Sequence, residues 1–507
     1  MVMTQNSSIL YQNASSTVFL IDIPASIALA QELSLASQAD VPSDFISLIS
    51  TEPPKKKQRR ILSTPALKTP YPASFEPKSE AARAKVLARI PRSEIHEEIS
   101  PLLSNALEDI RSHYCQDSEW CLPRFLLKED EPKEPDNEID RSAWLASIRS
   151  GKSDRGKKRR AQDRNAARND HDEDDDNFHP EYFPPPSSRQ GFPIDTQSQS
   201  QPPLVLSPGR NRFENGAELC NNPVKNTSPE TAIVEIHSVF AVKSLRGCKV
   251  DTEKQERIQF FIVPPLSKFI LCNLPISTPL TGTEHDNPNP IPGLASDQKF
   301  NLIVMDPPWS NKSVRRSGYY ETRTYLDSEL LMAYICAVLT VHSHSPLQNE
   351  DLTPESKCNL SIAAIWITNS ARAREAAYGG LAGAGFSVCE EWIWVKTAVD
   401  GQTVTPIEGV WRKPYEILVI GKRRPGSITG AGGDGILRRV IAAVPDVHSR
   451  KPNLKEAFER TLLTPLSDTT PVHYSALEVF ARNLTAGWWA CGNEVLKFNS
   501  ENWWSDE

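Results

Sequence analysis

The chain has 507 residues, 41 of them proline, with 39% hydrophobic residues and a formal net charge of −7. That length leaves room for more than one domain, but the proline content and low apolar fraction argue against a single globule filling all of it. The acidic balance excludes a grip on nucleic acid through overall charge and leaves that role to local basic patches.

No apolar run approaches the ~20 residues that cross a bilayer, and the start Met1-Val2-Met3-Thr4-Gln5 lacks a signal peptide's basic segment. A soluble intracellular protein with no membrane association is expected. Nine cysteines without any Cys-x-x-Cys pair suit a reducing compartment and predict free thiols and no metal.

In chain order, residues 1–128 form a first region. Val18-Phe19-Leu20-Ile21-Asp22-Ile23 reads as a strand. Pro54-Lys55-Lys56-Lys57-Gln58-Arg59-Arg60 lies in a Pro-rich stretch and has the make-up of a nuclear import signal, with Lys157-Lys158-Arg159-Arg160 a second candidate; both also read as solvated charge. Val86, Leu87, Ile90, Ile99, Leu102, Leu103, Leu107 and Ile110 fall at helical spacing over 80–111, with a break expected at Pro91. This half is a candidate surface for protein partners. Residues 129–230, with Asp172-Glu173-Asp174-Asp175-Asp176 and Gln197-Ser198-Gln199-Ser200-Gln201, read as a disordered, low-complexity linker or insertion, so that a largely disordered or irregular N-terminal half is expected.

Over 231–504 strand and helix patterns alternate, as in an α/β domain whose doubly wound sheet is covered by helices. Strands are expected at 259–263, 269–272, 301–305, 362–367, 392–395, 417–420, 439–444 and 477–480. Helices are expected at 328–341, 370–384 and 453–463, the last with Asn453 as N-cap.

One strand delivers a chemistry. Phe300-Asn301-Leu302-Ile303-Val304-Met305 runs into Asp306-Pro307-Pro308-Trp309. The exocyclic amine of adenine is a poor nucleophile, because its lone pair is delocalised into the ring. Acceptors that draw the nitrogen toward tetrahedral geometry restore its reactivity. Asp306 offers a carboxylate and Pro307 a carbonyl, neither proline has an N–H to compete for them, and Trp309 offers a face for a purine taken from its stack. The same four residues also suit an ordinary strand-to-loop turn.

No strand is followed by Gly-x-Gly-x-x-Gly, so a cofactor must be held by other residues at the carboxyl ends of adjacent strands. Cys272, Asn273 and Leu274 end one such strand; Arg482 and Asn483 follow another; Asn493 and Glu494 return polar groups to the same edge. Each reads equally as loop capping. Lys451 is a candidate partner for a bound carboxylate, or a solvated cation before a helix.

These residues carry a resemblance to a family. Asp306-Pro307-Pro308-Trp309 with Asn311-Lys312-Ser313-Val314 and Arg316-Ser317, Glu391 to Lys396, Lys413-Pro414-Tyr415-Glu416, Arg450-Lys451-Pro452, Phe480-Ala481-Arg482-Asn483-Leu484, and Gly492 to Phe498 recur in order. So arranged, the chain resembles the eukaryotic adenine-N6 methyltransferases of the MT-A type, and within them the methyltransferase-like protein four branch. The resemblance covers about the C-terminal half.

It implies a Rossmann-like domain with permuted motif order, and S-adenosylmethionine as cofactor. Asp306 would contact both the cofactor's amino group and the target amine, with Lys451 at the carboxylate. Arg482, Asn493 and Glu494 would lie near the ribose, and Cys272, Asn273 and Leu274 on the adenine side. Asn273 and Arg450 stand where members often have Asp and His. Asn311, Lys312, Arg315 and Arg316 would form a basic lid over the substrate, and Lys396, Arg412 and Lys413 would add contacts.

The expected activity is methyl transfer to adenine N6 in RNA, including internal 2′-O-methyladenosine of small nuclear RNA, by a nuclear enzyme. DNA adenine and a non-catalytic nucleic-acid-binding scaffold are the alternatives.

Overall fold

The computed structural model describes residues 7–33, 59–72, 79–81, 84, 94–114, 118–127, 202–246, 249–276, 289–309, 328–344, 361–409, 413–423, 435–447, 449–463 and 474–506. Residues 1–125 and 180–507 form one compact unit, and 126–179, nearly all outside the described residues, form a second. The first unit is mixed α/β.

Its strands, in chain order, are β1 (Ile9–Gln12), β2 (Val18–Ile21), β3 (Arg59–Ser63), β4 (Phe125–Leu126), β5 (Leu204–Leu206), β6 (Gly209–Phe213), β7 (Pro223–Asn226), β8 (Ala232–Arg246), β9 (Lys249–Val263), β10 (Lys268–Leu271), β11 (Leu302–Met305), β12 (Ile362–Ile367), β13 (Phe386–Lys396), β14 (Tyr415–Arg423), β15 (Leu437–Ala443), β16 (Ala476–Val479), β17 (Trp489–Gly492) and β18 (Trp504–Asp506). The α-helices are α1 (Ile23–Ala30), α2 (Glu94–His113), α3 (Ser328–His342), α4 (Ala371–Gly383) and α5 (Lys455–Thr461).

Twelve strands make one sheet in the order β1-β2-β15-β13-β14-β12-β11-β16-β17-β10-β7-β5. Its centre, β10-β17-β16-β11-β12, is wholly parallel. Parallel strands are buried on both faces, which is why Leu302–Met305 and Ile362–Ile367 are unbroken apolar runs with every residue buried. One face packs on α2, α3 and α4 through Ile99, Leu103, Leu107, Ile335, Leu339, Ala377 and Leu381. On the other, Trp392 lies between Phe19 and Phe458, with ring centroids 6.4 and 5.2 Å away.

The sheet crosses the boundaries expected from composition. Val18–Ile21 pairs in parallel with β15, with Phe19 opposite Ile441, and β7 and β5 extend the other end beside β10. Residues 7–33 and 202–226 are therefore part of the fold that the sequence assigned to 231–504. The cause is burial: Phe19, Leu20 and Val224 are fully enclosed.

Arg59 and Arg60, the end of the candidate import signal, lie in β3, which pairs antiparallel with β18; Arg60 rests 4.4 Å above Phe125. The remainder of that cluster, Lys157–Arg160 and the two acidic and Gln/Ser runs lie outside the described residues.

Helix α2 continues through Pro101 on its exposed side, while Pro91 lies outside the described residues. The expected strand at 259–263 is the end of a hairpin of two 15-residue strands, β8 and β9. Helix α5 starts two residues late, yet Asn453 Oδ1 still accepts its first N–H, from Lys455, at 3.0 Å. Among the described residues no helix is long and apolar enough to cross a membrane, and no group of three or more side chains could hold a metal ion.

Candidate active site

Strand β11 ends where Pro307 removes the next ladder donor. The last rung is the Asp306 N–H, donated to the Val479 carbonyl at 3.3 Å. This aims Asp306 out of the carboxyl edge, at the loop leaving β16. From that loop Arg482 donates to Asp306 Oδ2 at 2.8 Å, and Lys451 approaches Oδ1 at 3.5 Å. A carboxylate offers about four lone-pair sites, so both oxygens keep capacity for a further donor.

The same fork continues on both sides. Arg482 Nε reaches Glu494 at 3.0 Å, and Lys497 reaches its other oxygen at 3.1 Å. Burial would raise the Glu494 carboxyl, but Lys497 and Arg482 outweigh it and hold it below the ordinary value. Lys451 also donates to Glu416 at the start of β14, whose other oxygen takes Lys396 at 2.7 Å. Burial opposes charge on Glu416 and is overcome by Lys396 and Lys451, so its carboxyl titrates far below its usual range. For Lys451 burial is likewise outweighed, by Asp306 and Glu416, and its ammonium is held above normal. An aromatic wall backs this cation: Trp366 at 5.0 Å and Trp394 at 5.8 Å.

Trp309 is pinned by its indole N–H, which donates to the Trp366 carbonyl at 2.7 Å. Its backbone N–H donates to the Pro307 carbonyl at 2.8 Å. The expected lack of competition at that carbonyl is thus corrected: the prolines supply no donor, but Trp309 does, and one lone pair remains.

A cavity of about 50 Å³ opens beside Asp306, lined among others by Trp366, Ser449, Lys451, Glu478, Phe480 and Asn483. Two left-handed residues shape it, Ser449 (φ 69°) and Phe480 (φ 62°). Gly492, at φ 145°, lets β17 pass Phe480, whose Cα would be 3.3 Å from an added Cβ. Ser449 Oγ and Asn483 Nδ2 are buried with no hydrogen-bond partner among the described residues. Unpaired buried polar atoms are costly unless a ligand satisfies them.

Residues 300–494 match the MT-A70 family. The chain carries an MT-A70 domain. It is 38% identical over 210 residues to the "N6-methyladenosine RNA methyltransferase MTA1" of Cryphonectria parasitica, covering 40% of this chain and 54% of the relative. It is 31% identical over 252 residues to the "N(6)-adenine-specific methyltransferase METTL4" of Homo sapiens, covering 47% and 44%. It is 28% identical over 210 residues to the "DNA N6-methyl methyltransferase" of Caenorhabditis elegans, covering 41% and 49%. The chain thus spans about half the length of the relatives it matches.

Within the MT-A70 domain, Asp306, Lys451, Arg482 and Asn483 line one pocket. Lys396 joins them through Glu416, and Glu494 through Arg482. Pro308 and Asn493 are exposed on the same carboxyl edge. Lys413 instead donates to the Ile407 carbonyl at 3.4 Å.

Cys272, Asn273 and Leu274 precede the MT-A70 match and end β10, three strands from β11; they do not line this pocket. Cys272 is buried, its N–H on the Gly492 carbonyl, and burial pushes its thiol up to about 12. Asn311, Lys312, Arg315, Arg316 and Arg412 lie outside the described residues.

Arg450, adjacent to Lys451, is buried between Phe498 and Trp503 and paired with Asp446 at 2.6 Å, which makes it a packing residue. Sequence reasoning gave no role to Glu416, Glu478, Ser449 or Trp366. For Glu478 the signal was present, since a lone acid inside the apolar strand Ala476–Val479 requires a reason.

Proposed function

We propose that this protein is an S-adenosylmethionine-dependent methyltransferase acting on N6 of adenine in nucleic acid, with RNA as the first substrate. The observation that carries the reading is the Asp306 carboxylate, delivered by β11 to the sheet edge and fixed there by Arg482 and Lys451 with acceptor capacity to spare. The relatives named for N6-methyladenosine in RNA and for N6-adenine support the same chemistry.

The side chains around the pocket match polar groups of the cofactor. Lys451 offers a cation to a carboxylate, Asn483 Nδ2 and Ser449 Oγ are buried polar atoms awaiting partners, and Glu494 with exposed Asn493 offers polar groups for hydroxyls. When bound, the cofactor supplies a methyl group activated on a sulfonium.

The chain's own work is positioning. Asp306 and the free lone pair of the Pro307 carbonyl accept from the target amine and point its lone pair outward, while Trp309, pinned through Trp366, gives the base a fixed surface. The amine becomes far more acidic once methylated, so no strong general base is required. Lys396 extends the site toward phosphate, and by the family resemblance Asn311, Lys312, Arg315, Arg316 and Arg412 are further substrate contacts. The parallel block in which β11 precedes its neighbours β16 and β17 supports a Rossmann-like sheet of permuted motif order. Nuclear residence rests on the basic run Pro54–Arg60, and the 2′-O-methyl preference on the family branch.

DNA is the second reading, favoured by the nematode relative's name. The test offers purified protein and labelled S-adenosylmethionine four sequence-matched oligonucleotides: RNA, RNA with one 2′-O-methyladenosine, single-stranded DNA and duplex DNA, each against D306A. Transfer to RNA that D306A abolishes is the expected result. Transfer to DNA alone overturns the substrate, and a folded D306A that still turns over overturns the site.

A further inference from the structure

One acid in the pocket has no part in the positioning just described. Glu478 lies in β16, opposite Val304 of β11 and Ala490 of β17, with its strand neighbours buried. Glu478 lines the cavity beside Asp306, yet no hydrogen bond or ion pair reaches its carboxyl among the described residues. Every other carboxylate of the cluster is paired: Asp306 with Arg482 and Lys451, Glu416 with Lys396 and Lys451, Glu494 with Arg482 and Lys497.

The charged groups that line the cavity with Glu478 are Asp306 after β11, Arg482 after β16, and Lys451 and Arg450 before α5. Of these cations, Lys451 and Arg482 are committed to Asp306, and Arg450 to Asp446. Burial first, and the Asp306 charge second, push the Glu478 carboxyl up to about 8, so near neutral pH it is an uncharged acid.

A half-buried acid that lines a cavity and lacks a cation fits a ligand that brings one. Building on the cofactor reading above, we propose that Glu478 anchors the ammonium group of S-adenosylmethionine, giving up its proton as the ligand binds. The ammonium has three donors and a full charge, and a sulfonium has no donor to offer. Glu478 adds a second carboxyl for that ammonium beside Asp306, which lines the same cavity.

Titration calorimetry of the whole chain in buffers of different ionisation enthalpy counts protons released per ligand. Near pH 7 the ligand's ammonium is still charged, with an ordinary value of about 7.7–8.0. S-adenosylmethionine and S-adenosylhomocysteine should then each release most of one proton, whereas 5′-methylthioadenosine, which lacks the ammonium, should release none. E478Q should lose the release and bind S-adenosylmethionine on the order of 10–100-fold more weakly, as expected for one charge-assisted contact. Tight binding without proton release, or equal release with methylthioadenosine, overturns the role of Glu478 and leaves the cofactor reading standing. No binding of S-adenosylmethionine to the wild type overturns both. The ligand comparison on wild type decides the matter even where E478Q fails to fold.

Discussion

Without ligand, the stability of Glu478→Gln relative to the wild type should climb as pH rises from about 5 to 8. The sign is opposite to the usual one for a carboxylate. With its folded value raised from 4.5 to about 8, Glu478 in the native state holds a proton that the unfolded chain releases. Native stability therefore falls as pH climbs through that window, at up to about 1.4 kcal/mol per pH unit. Between pH 6 and 8 the wild type should lose about 2 kcal/mol relative to E478Q, with little further loss above pH 9. The glutamine amide is itself left without a partner, which costs about 1–3 kcal/mol at every pH. The pH slope of the difference is thus decisive, and its offset is not. Urea unfolding of both proteins at pH 6, 7, 8 and 9, without ligand, measures it. A difference that is flat across this range, or that grows toward acid pH, refutes the account of an unpaired acid beside Asp306.

Arg482→Lys keeps a charge but not the fork that joins Asp306 to Glu494, so the KM for S-adenosylmethionine should rise about tenfold or more while the circular dichroism spectrum stays unchanged. Trp309→Ala removes the surface proposed for stacking of the base, worth about 1–3 kcal/mol. The KM for an oligonucleotide should rise on the order of 10–100-fold, with cofactor affinity measured by calorimetry unaltered. Gly492→Ala places a Cβ 3.3 Å from the Phe480 Cα at a φ of 145°. It should cost about 1–3 kcal/mol, read as a lower urea midpoint at unchanged m-value.

The parts of this fold that the sequence disclosed are those whose cause is local. Continuous apolar runs gave β11, β12 and the middle of β14, because a strand buried on both faces needs nothing else. The Asp306-to-Trp309 turn was visible since its chemistry sits in four consecutive residues. What escaped depends on distant partners. Strand β7 opens on Pro223 and is only four residues long, so its place beside β10 is fixed by Val224 meeting Phe269. Strand β3 begins with two arginines and read as exposed charge, yet Ile61 is buried opposite Trp504. In the site, Glu416 was quoted within a motif without a role. Its meaning comes from Lys396, at the end of the neighbouring strand β13, and from Lys451, on the loop before α5. The Pro307 carbonyl was read from what prolines lack, and the donor two residues on was missed.

The pairing of Phe19 with Ile441 spans more than four hundred residues. Strand β2 is apolar on both faces, and one of its two in-sheet neighbours, β15, is synthesised more than four hundred residues after it. Until then, a nascent Val18–Ile21 is an open ribbon edge of the kind that holdase chaperones capture. Closure of so long a loop carries an entropic cost that has to be met before this pairing stabilises the sheet. Engineering that shields this edge early should raise the recovered fraction of active molecules without touching the catalytic loops.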